Sequence, residues 1–354
     1  MFERQIIIRQ DVNAFYHVPS LVAAPDGNVL AFCEERWRSP CDDTGECHIV
    51  MKKSRDHGKT WGELIHLRKK AGAKYHMGSA AVDPAAGKVF LMCGGGHLQS
   101  ADNGKPWQDW HPFFHDVTGA ERGGTHGSAP GIVIQYGVHK GRILWPARTI
   151  VSEDGYNDLS ILDRQAKCYS MVLYSDDHGE TIHSSTVFLQ GTGEACLVER
   201  INGDLYFNAR AYFGDGRRRT AISSDGGSHF CETPDAVDLR EIQQGCNASM
   251  VRYPPDLCDG RDIILFANPD SSGKLREHGV VQASFDGGKS WPVKKAITRW
   301  GEWFDYSAMA ISHDGTVLLM YKTTPDMTGI PASADECCSM ALARFDLDWL
   351  RVAG

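Results

Sequence analysis

DGNVLAF (26–32), AGKVFLM (86–92), KGRILWPA (140–147), NGDLYFNA (202–209), DGRDIILFA (259–267) and DGTVLLMY (314–321) repeat one local pattern. Each is a turn ending in Gly, followed within two or three residues by an apolar run rich in Val, Ile, Leu and Phe. Gly accepts the positive φ of a tight turn, so the pattern reads as a hairpin feeding a buried strand. Successive glycines (Gly27, Gly87, Gly141, Gly203, Gly260 and Gly315) stand 60, 54, 62, 57 and 55 residues apart. Six copies at that spacing predict six hairpin-centred units.

A second motif, Ser-x-Asp-x-Gly-x-Thr/Ser-Trp, is laid over the first. It is complete in SRDHGKTW (54–61) and SFDGGKSW (284–291), and weaker in SADNGKPW (100–107), SDDHGETI (175–182) and SSDGGSHF (223–230). An Asp that bonds the backbone just after it, a left-handed Gly and an aromatic anchor make a self-contained turn, and no chemistry is assigned to it. Units of this length, without amphipathic segments of helical period, imply small antiparallel sheets repeated about an axis. The expected fold is all-β: a six-bladed β-propeller of four-stranded antiparallel blades, one domain over 1–354.

The chain has 354 residues, 37 Lys+Arg and 45 Asp+Glu, for a net charge of −8. That balance argues against nucleic-acid and membrane partners, which select basic surfaces. Hydrophobic residues at 42% and charged residues at 23% suit a chain that buries a core. Eleven scattered cysteines contain no CxxC pair, and His76, His111, His115 and His126 lack ligand spacing on one element, so no metal or other cofactor is expected. The start, MFERQIIIRQD, has too short an apolar run for a secretory leader, and a cytoplasmic protein with reduced thiols is expected unless a leader was trimmed.

Five such Asp boxes on six blades resemble the sialidase (neuraminidase) superfamily along nearly the whole chain. The chemistry of that family explains which residues matter. Sialic acid carries a carboxylate on its anomeric carbon, which repels a carboxylate nucleophile; a Tyr activated by Glu avoids the repulsion. In EERWRSPCDDTGECHIVMKKS (34–54), the resemblance implies Asp43 as acid/base, Asp42 as its neighbouring fallback and Arg36 as a pocket arginine. In GEACLVERINGDLYFNAR (193–210) it implies Glu194 as the base for the tyrosine and Arg210 as a carboxylate clamp. Glu199 competes with Glu194, but an odd separation puts the two on opposite strand faces. LREHGVVQASFDGGKSW (275–291) implies Arg276, eight residues before Ser284, as a further clamp. WFDYSAMAISHDGTVLLMY (303–321) implies Tyr306 as nucleophile, with Tyr321 in the following apolar strand, and CSMALARFDLDWL (338–350) resembles the strand that closes the ring.

Two departures touch the same ion pair of the family. FYHVP (15–19) has His17 where the family's first triad arginine is expected, and Lys322 follows Tyr321 where a supporting Glu is expected. Lys322 then supplies a cation and His17 a neutral or switchable donor, and a His near pKa 6.5 makes ligand binding weaken as pH rises. In blade 3, GGTHGSAPGIVI (123–134) also departs from the family and places His126 and Ser128 near the pocket. The resemblance implies a retaining exo-α-sialidase that needs no cofactor and acts on a sialylated or other acidic glycan, with sialic acid or Kdn as the released sugar. The alternatives are a catalytically silent propeller that binds acidic glycans, and a uronic-acid polysaccharide lyase or hydrolase.

Overall fold

The computed structural model describes residues 1–41, 45–112, 120–124, 129–151, 159–214 and 216–351. Its strands form six antiparallel sheets arranged as the blades of a propeller. Blade 1 runs Ala14–Ala23, Val29–Trp37, Glu46–Ser54, Ile65–Arg68 from the axis outward, and blade 2 runs Met77–Asp83, Lys88–Cys93, Gly96–Ser100, His111–Pro112. Blade 4 runs Thr192–Glu199, Leu205–Ala211, Arg217–Ser223, Cys231–Arg240; blade 5 runs Ser249–Tyr253, Ile263–Pro269, Gly279–Ser284, Val293–Ala296. Blade 3 is built on Ile143–Val151 and Cys168–Ser175. Its inner strand is in two pieces, Ala120–Gly124 and Ile132–Val133, as is its outer strand, His183–Ser184 and Phe188–Gln190.

Blade 6 joins the two termini. Asp305–Ile311, Val317–Thr323 and Ser339–Phe345 supply three strands, and Phe2–Ile8 pairs with the last of these as the outermost strand. The segment expected to close the ring is therefore the third strand of its sheet; residues near the amino terminus complete it. Among the described residues no helix is long and apolar enough to cross a membrane.

All six repeat glycines have positive φ, from 66° at Gly87 to 96° at Gly141, and each links the first and second strands of its blade. The strand that follows is buried on both faces, which is why its sequence is continuously apolar rather than alternating. In blade 1, Val29, Ala31 and Cys33 pack toward blade 6, and Leu30 and Phe32 toward blade 2. Equivalent layers lie between every neighbouring pair of blades, so the core is a circle of six interfaces.

The Asp boxes link third and fourth strands at the same end of the ring as the glycine turns. Ser54 donates to Asp56 at 2.8 Å and accepts from the Gly58 amide at 2.9 Å, and the Thr60 amide donates to Asp56 at 2.8 Å. Their glycines also press on the preceding blade. A Cβ on Gly179 would lie 2.3 Å from the Phe90 ring, on Gly288 2.7 Å from Tyr206, and on Gly104 2.8 Å from Leu30. These turns therefore lock each blade to its neighbour.

Candidate active site

At the other end of the ring, inner strands begin and second strands finish, and there the charged side chains gather. The inner strands are irregular at this end. Register shifts fall between His17 and Ser20, between Thr192 and Ala195, and between Asp305 and Ser307. Tyr306 itself has φ 42°, an unusual value for a residue with a Cβ. A bulge of this kind re-aims one side chain without disturbing the rest of the strand.

Tyr306 donates its phenolic proton to Glu194 Oε1 at 2.7 Å. One guanidinium nitrogen of Arg210 donates to Glu194 Oε2 at 2.8 Å and to the Tyr306 oxygen at 3.1 Å. Arg210 is steadied by the Gln244 carbonyl at 2.9 Å and needs Gly245 beside it, where a Cβ would lie 2.4 Å from its side chain. Burial alone would raise the Glu194 pKa; the charges of Arg210 and Arg148, with the Tyr306 hydrogen bond, outweigh it and hold the carboxyl well below its usual range. Burial and the Glu194 charge push the Tyr306 phenol well above 10. The pair at rest is thus a neutral phenol hydrogen-bonded to a carboxylate.

Arg276 reaches in from blade 5. It pairs with Asp305 at 2.6 Å, and its guanidinium carbon lies 5.3 Å from the centre of the Tyr306 ring. The second oxygen of Asp305 is 2.6 Å from Lys322 Nζ. Burial opposes ionisation of Asp305, but Arg276 and Lys322 bring its pKa down to about 2. On blade 1, Arg36 grips Glu34 through two nitrogens at 2.7 and 3.0 Å. Among the described residues, five cationic groups (Arg36, Arg148, Arg210, Arg276, Lys322) face three carboxylates (Glu34, Glu194, Asp305), an excess of two positive charges that favours an anion.

His17 is buried beside Lys322, whose Nζ lies 3.3 Å from its Nδ1, and its Nε2 is 3.1 Å from Cys338 Sγ. Lysine can only donate, so the ring proton belongs on Nε2, facing the sulfur. Burial, then the charges of Lys322, Arg36 and Arg276, lower its pKa well below 6.5. The pH switch expected of His17 is therefore not what the structure builds. It is a neutral acceptor for Lys322, and Lys322 is itself balanced by Asp305.

Glu199 stands at the far end of its strand, accepting from the Gln135 and Tyr136 amides at 2.6 and 3.0 Å. Distance along the strand separates it from the pocket; parity does not, because the bulge at Thr192–Ala195 resets the alternation. Tyr321 is core, stacked on Phe304 at 4.7 Å. Asp42, Asp43, His126 and Ser128 lie outside the described residues.

Sequence reasoning missed Arg148, Tyr212 and Asp305. Arg148 hydrogen-bonds the Tyr212 hydroxyl and acts on Glu194 through its charge. A signal for it was present: Arg148, Arg210 and Lys322 each stand seven residues after a repeat glycine, Gly141, Gly203 and Gly315. That position lies in the last part of the second strand, toward the pocket.

The sequence matches the BNR repeat-like domain family over residues 18–283. The chain belongs to this family, within the sialidase superfamily. A sialidase of Micromonospora viridifaciens is 27% identical over 95% of this chain and 52% of its own length. The BNR-repeat chain described here thus spans about half of that relative. Among solved structures, the intramolecular trans-sialidase of Ruminococcus gnavus in complex with oseltamivir carboxylate superposes with a TM-score of 0.79 at 17% identity, covering 96% of both chains. The Trypanosoma rangeli sialidase in complex with 2,3-difluoro-KDN gives 0.73 at 18% identity, over 97% of this chain and 58% of that one. At such identities the BNR-repeat propeller shares the fold with these structures.

Proposed function

We propose that residues 1–354 act as one retaining exo-α-sialidase, releasing a terminal sialic acid or the related Kdn from an acidic glycan. The observation that carries this reading is the contact of Tyr306 with Glu194 at 2.7 Å, bridged by Arg210. A tyrosine proton shared with a carboxylate inside an arginine-rich pocket suits attack on an anomeric carbon that already bears a carboxylate.

In this mechanism Arg210 and Arg276 hold the substrate carboxylate, with Arg36 on the rim. The Tyr306 oxygen bonds to the anomeric carbon as its proton passes to Glu194. The bond to the aglycone breaks, and its oxygen takes a proton from Asp43, with Asp42 as the adjacent alternative. Water, deprotonated by the same Asp, then displaces tyrosine, which recovers its proton from Glu194. Because Glu194 is a weak base at rest, transfer of the phenolic proton accompanies attack rather than preceding it.

The test is turnover of paired fluorogenic α-glycosides of N-acetylneuraminic acid and Kdn by wild type and Tyr306→Phe. Cleavage of either by wild type, lost in the variant, supports the proposal. Calorimetric binding without turnover identifies a silent acidic-glycan binder, and growth of unsaturated-uronate absorbance identifies a lyase; either result overturns it.

A further inference from the structure

On the outer strands of blade 1, Glu35, His48 and His66 converge from three adjacent strands, Val29–Trp37, Glu46–Ser54 and Ile65–Arg68. Glu35 and His48 are buried, and the His66 side chain is 30% exposed. One carboxylate oxygen, Glu35 Oε2, faces His48 Nδ1 at 3.1 Å and His66 Nε2 at 2.8 Å. The other accepts from the Tyr16 hydroxyl at 3.4 Å. Among the described residues the ion pairs of Glu35 are to these two imidazoles.

Two arrangements satisfy this cluster: imidazolium rings donating to the carboxylates, or neutral rings and a carboxylate around a cation. His48 Nε2 lies 3.2 Å from Glu46 Oε2, so both nitrogens of one ring face carboxylate oxygens. A neutral imidazole has one N–H, and giving it to Glu46 leaves the Nδ1 lone pair against Glu35. His66 Nε2 faces Glu35 and lies 3.4 Å from the Nζ of Lys69 on the exposed side. A carboxylate holding the far nitrogen of a histidine is the arrangement that orients a metal ligand.

We propose that Glu35 Oε2, His48 Nδ1 and His66 Nε2 bind one divalent transition-metal ion of the Zn²⁺ class, with Glu46 orienting His48. Two imidazoles and one carboxylate suit such ions better than Mg²⁺ or Ca²⁺, which prefer oxygen. Ligands at about 2.0–2.2 Å from zinc stand roughly 3.3–3.6 Å apart in a tetrahedron; the Glu35 Oε2 spacings of 3.1 and 2.8 Å are somewhat shorter than that, and all three ligand atoms lie within 4.8 Å of one another. The exposed edge of His66 gives the ion a way in and leaves a coordination position for water. The neighbouring cluster of Glu34, Cys47 and His76 does not qualify, because Arg36 already occupies Glu34 at 2.7 Å. An ion at Glu35 would brace the strand whose next residue is Arg36.

Calorimetric titration of chelator-dialysed full-length protein with Zn²⁺, and with Mg²⁺ as control, tests this directly. Wild type takes up one Zn²⁺ and no Mg²⁺. His66→Ala, which removes a part-exposed ligand and leaves circular dichroism unchanged, weakens Zn²⁺ binding at least about 100-fold. Glu46→Gln, which touches no ion, weakens it about 10- to 100-fold. Absence of stoichiometric Zn²⁺ binding by wild type, or unaltered affinity in His66→Ala, overturns the proposal; unaltered affinity in Glu46→Gln overturns the role of Glu46 in it.

Discussion

Ser54, Ser175, Ser223 and Ser284, at one end of the ring, each donate to an Asp two residues on at 2.8 Å and accept from a glycine amide two residues further, entirely within their own turns. At the other end, Tyr306 of blade 6 finds its partner on blade 4, Arg276 of blade 5 finds Asp305 on blade 6, and Lys322 of blade 6 reaches His17 of blade 1. One end solves the same local problem repeatedly. The other assembles a single site from unlike contributions. Substitutions at the first should therefore change stability and leave chemistry alone, whereas those at the second should change chemistry first, except where a buried charge loses its partner.

The largest effect is expected at the pocket centre. Tyr306→Phe removes the nucleophile while keeping the ring that packs beneath Arg276, and should lower kcat for a sialoside by at least about 10³-fold with little change in melting temperature. A loss below tenfold would place the chemistry elsewhere. Next comes the charge that crosses blades. Asp305→Ala leaves Arg276 and the buried Lys322 without their shared counterion, and should cost about 3–5 kcal/mol in urea denaturation, as expected when half of a buried pair is removed. Arg276→Ala, by contrast, should raise KM about 10- to 150-fold, corresponding to loss of charge-assisted bonds worth roughly 1.5–3 kcal/mol.

At the turn end, a pair of glycines sharpens the contrast. Gly179 and Gly260 both have positive φ, 85° and 74°, but only at Gly179 would a Cβ strike a neighbouring blade. Gly179→Ala should therefore cost about 1–3 kcal/mol more than Gly260→Ala, with KM unchanged in both. The smallest effect concerns His17. Unfolded, it binds a proton below about pH 6.5; folded, it does so only at much lower pH. The unfolded state holds more protons in that window, so stability falls as pH drops below about 6.5 and is level above it. His17→Asn should flatten that slope in melting curves between pH 4.5 and 6.5; an unchanged slope would show that His17 is not the buried neutral group described.

What was legible in the sequence follows the same division. The six turns and five Asp boxes could be read directly, because positive φ at glycine and an Asp bonding its own backbone are local demands that a few letters encode. The Tyr306, Glu194, Arg210 and Arg276 constellation was visible only through the resemblance, since nothing local says that residues more than a hundred positions apart meet. Closure of the ring by Phe2–Ile8 left no mark on those letters beyond a short apolar run, because its partner strand is some 340 residues away. Asp305 was passed over beside Tyr306 for the same reason: its two partners come from other segments. Arg148 was different, for its place seven residues after a repeat glycine could have been read by aligning the blades.

The most direct measurement is covalent trapping with a 2,3-difluorosialic acid, followed by mass spectrometry of the digested protein. One adduct per chain is expected, on the peptide carrying Tyr306, and none in Tyr306→Phe. An adduct on a carboxylate or another residue, or active turnover with no adduct at all, would contradict it.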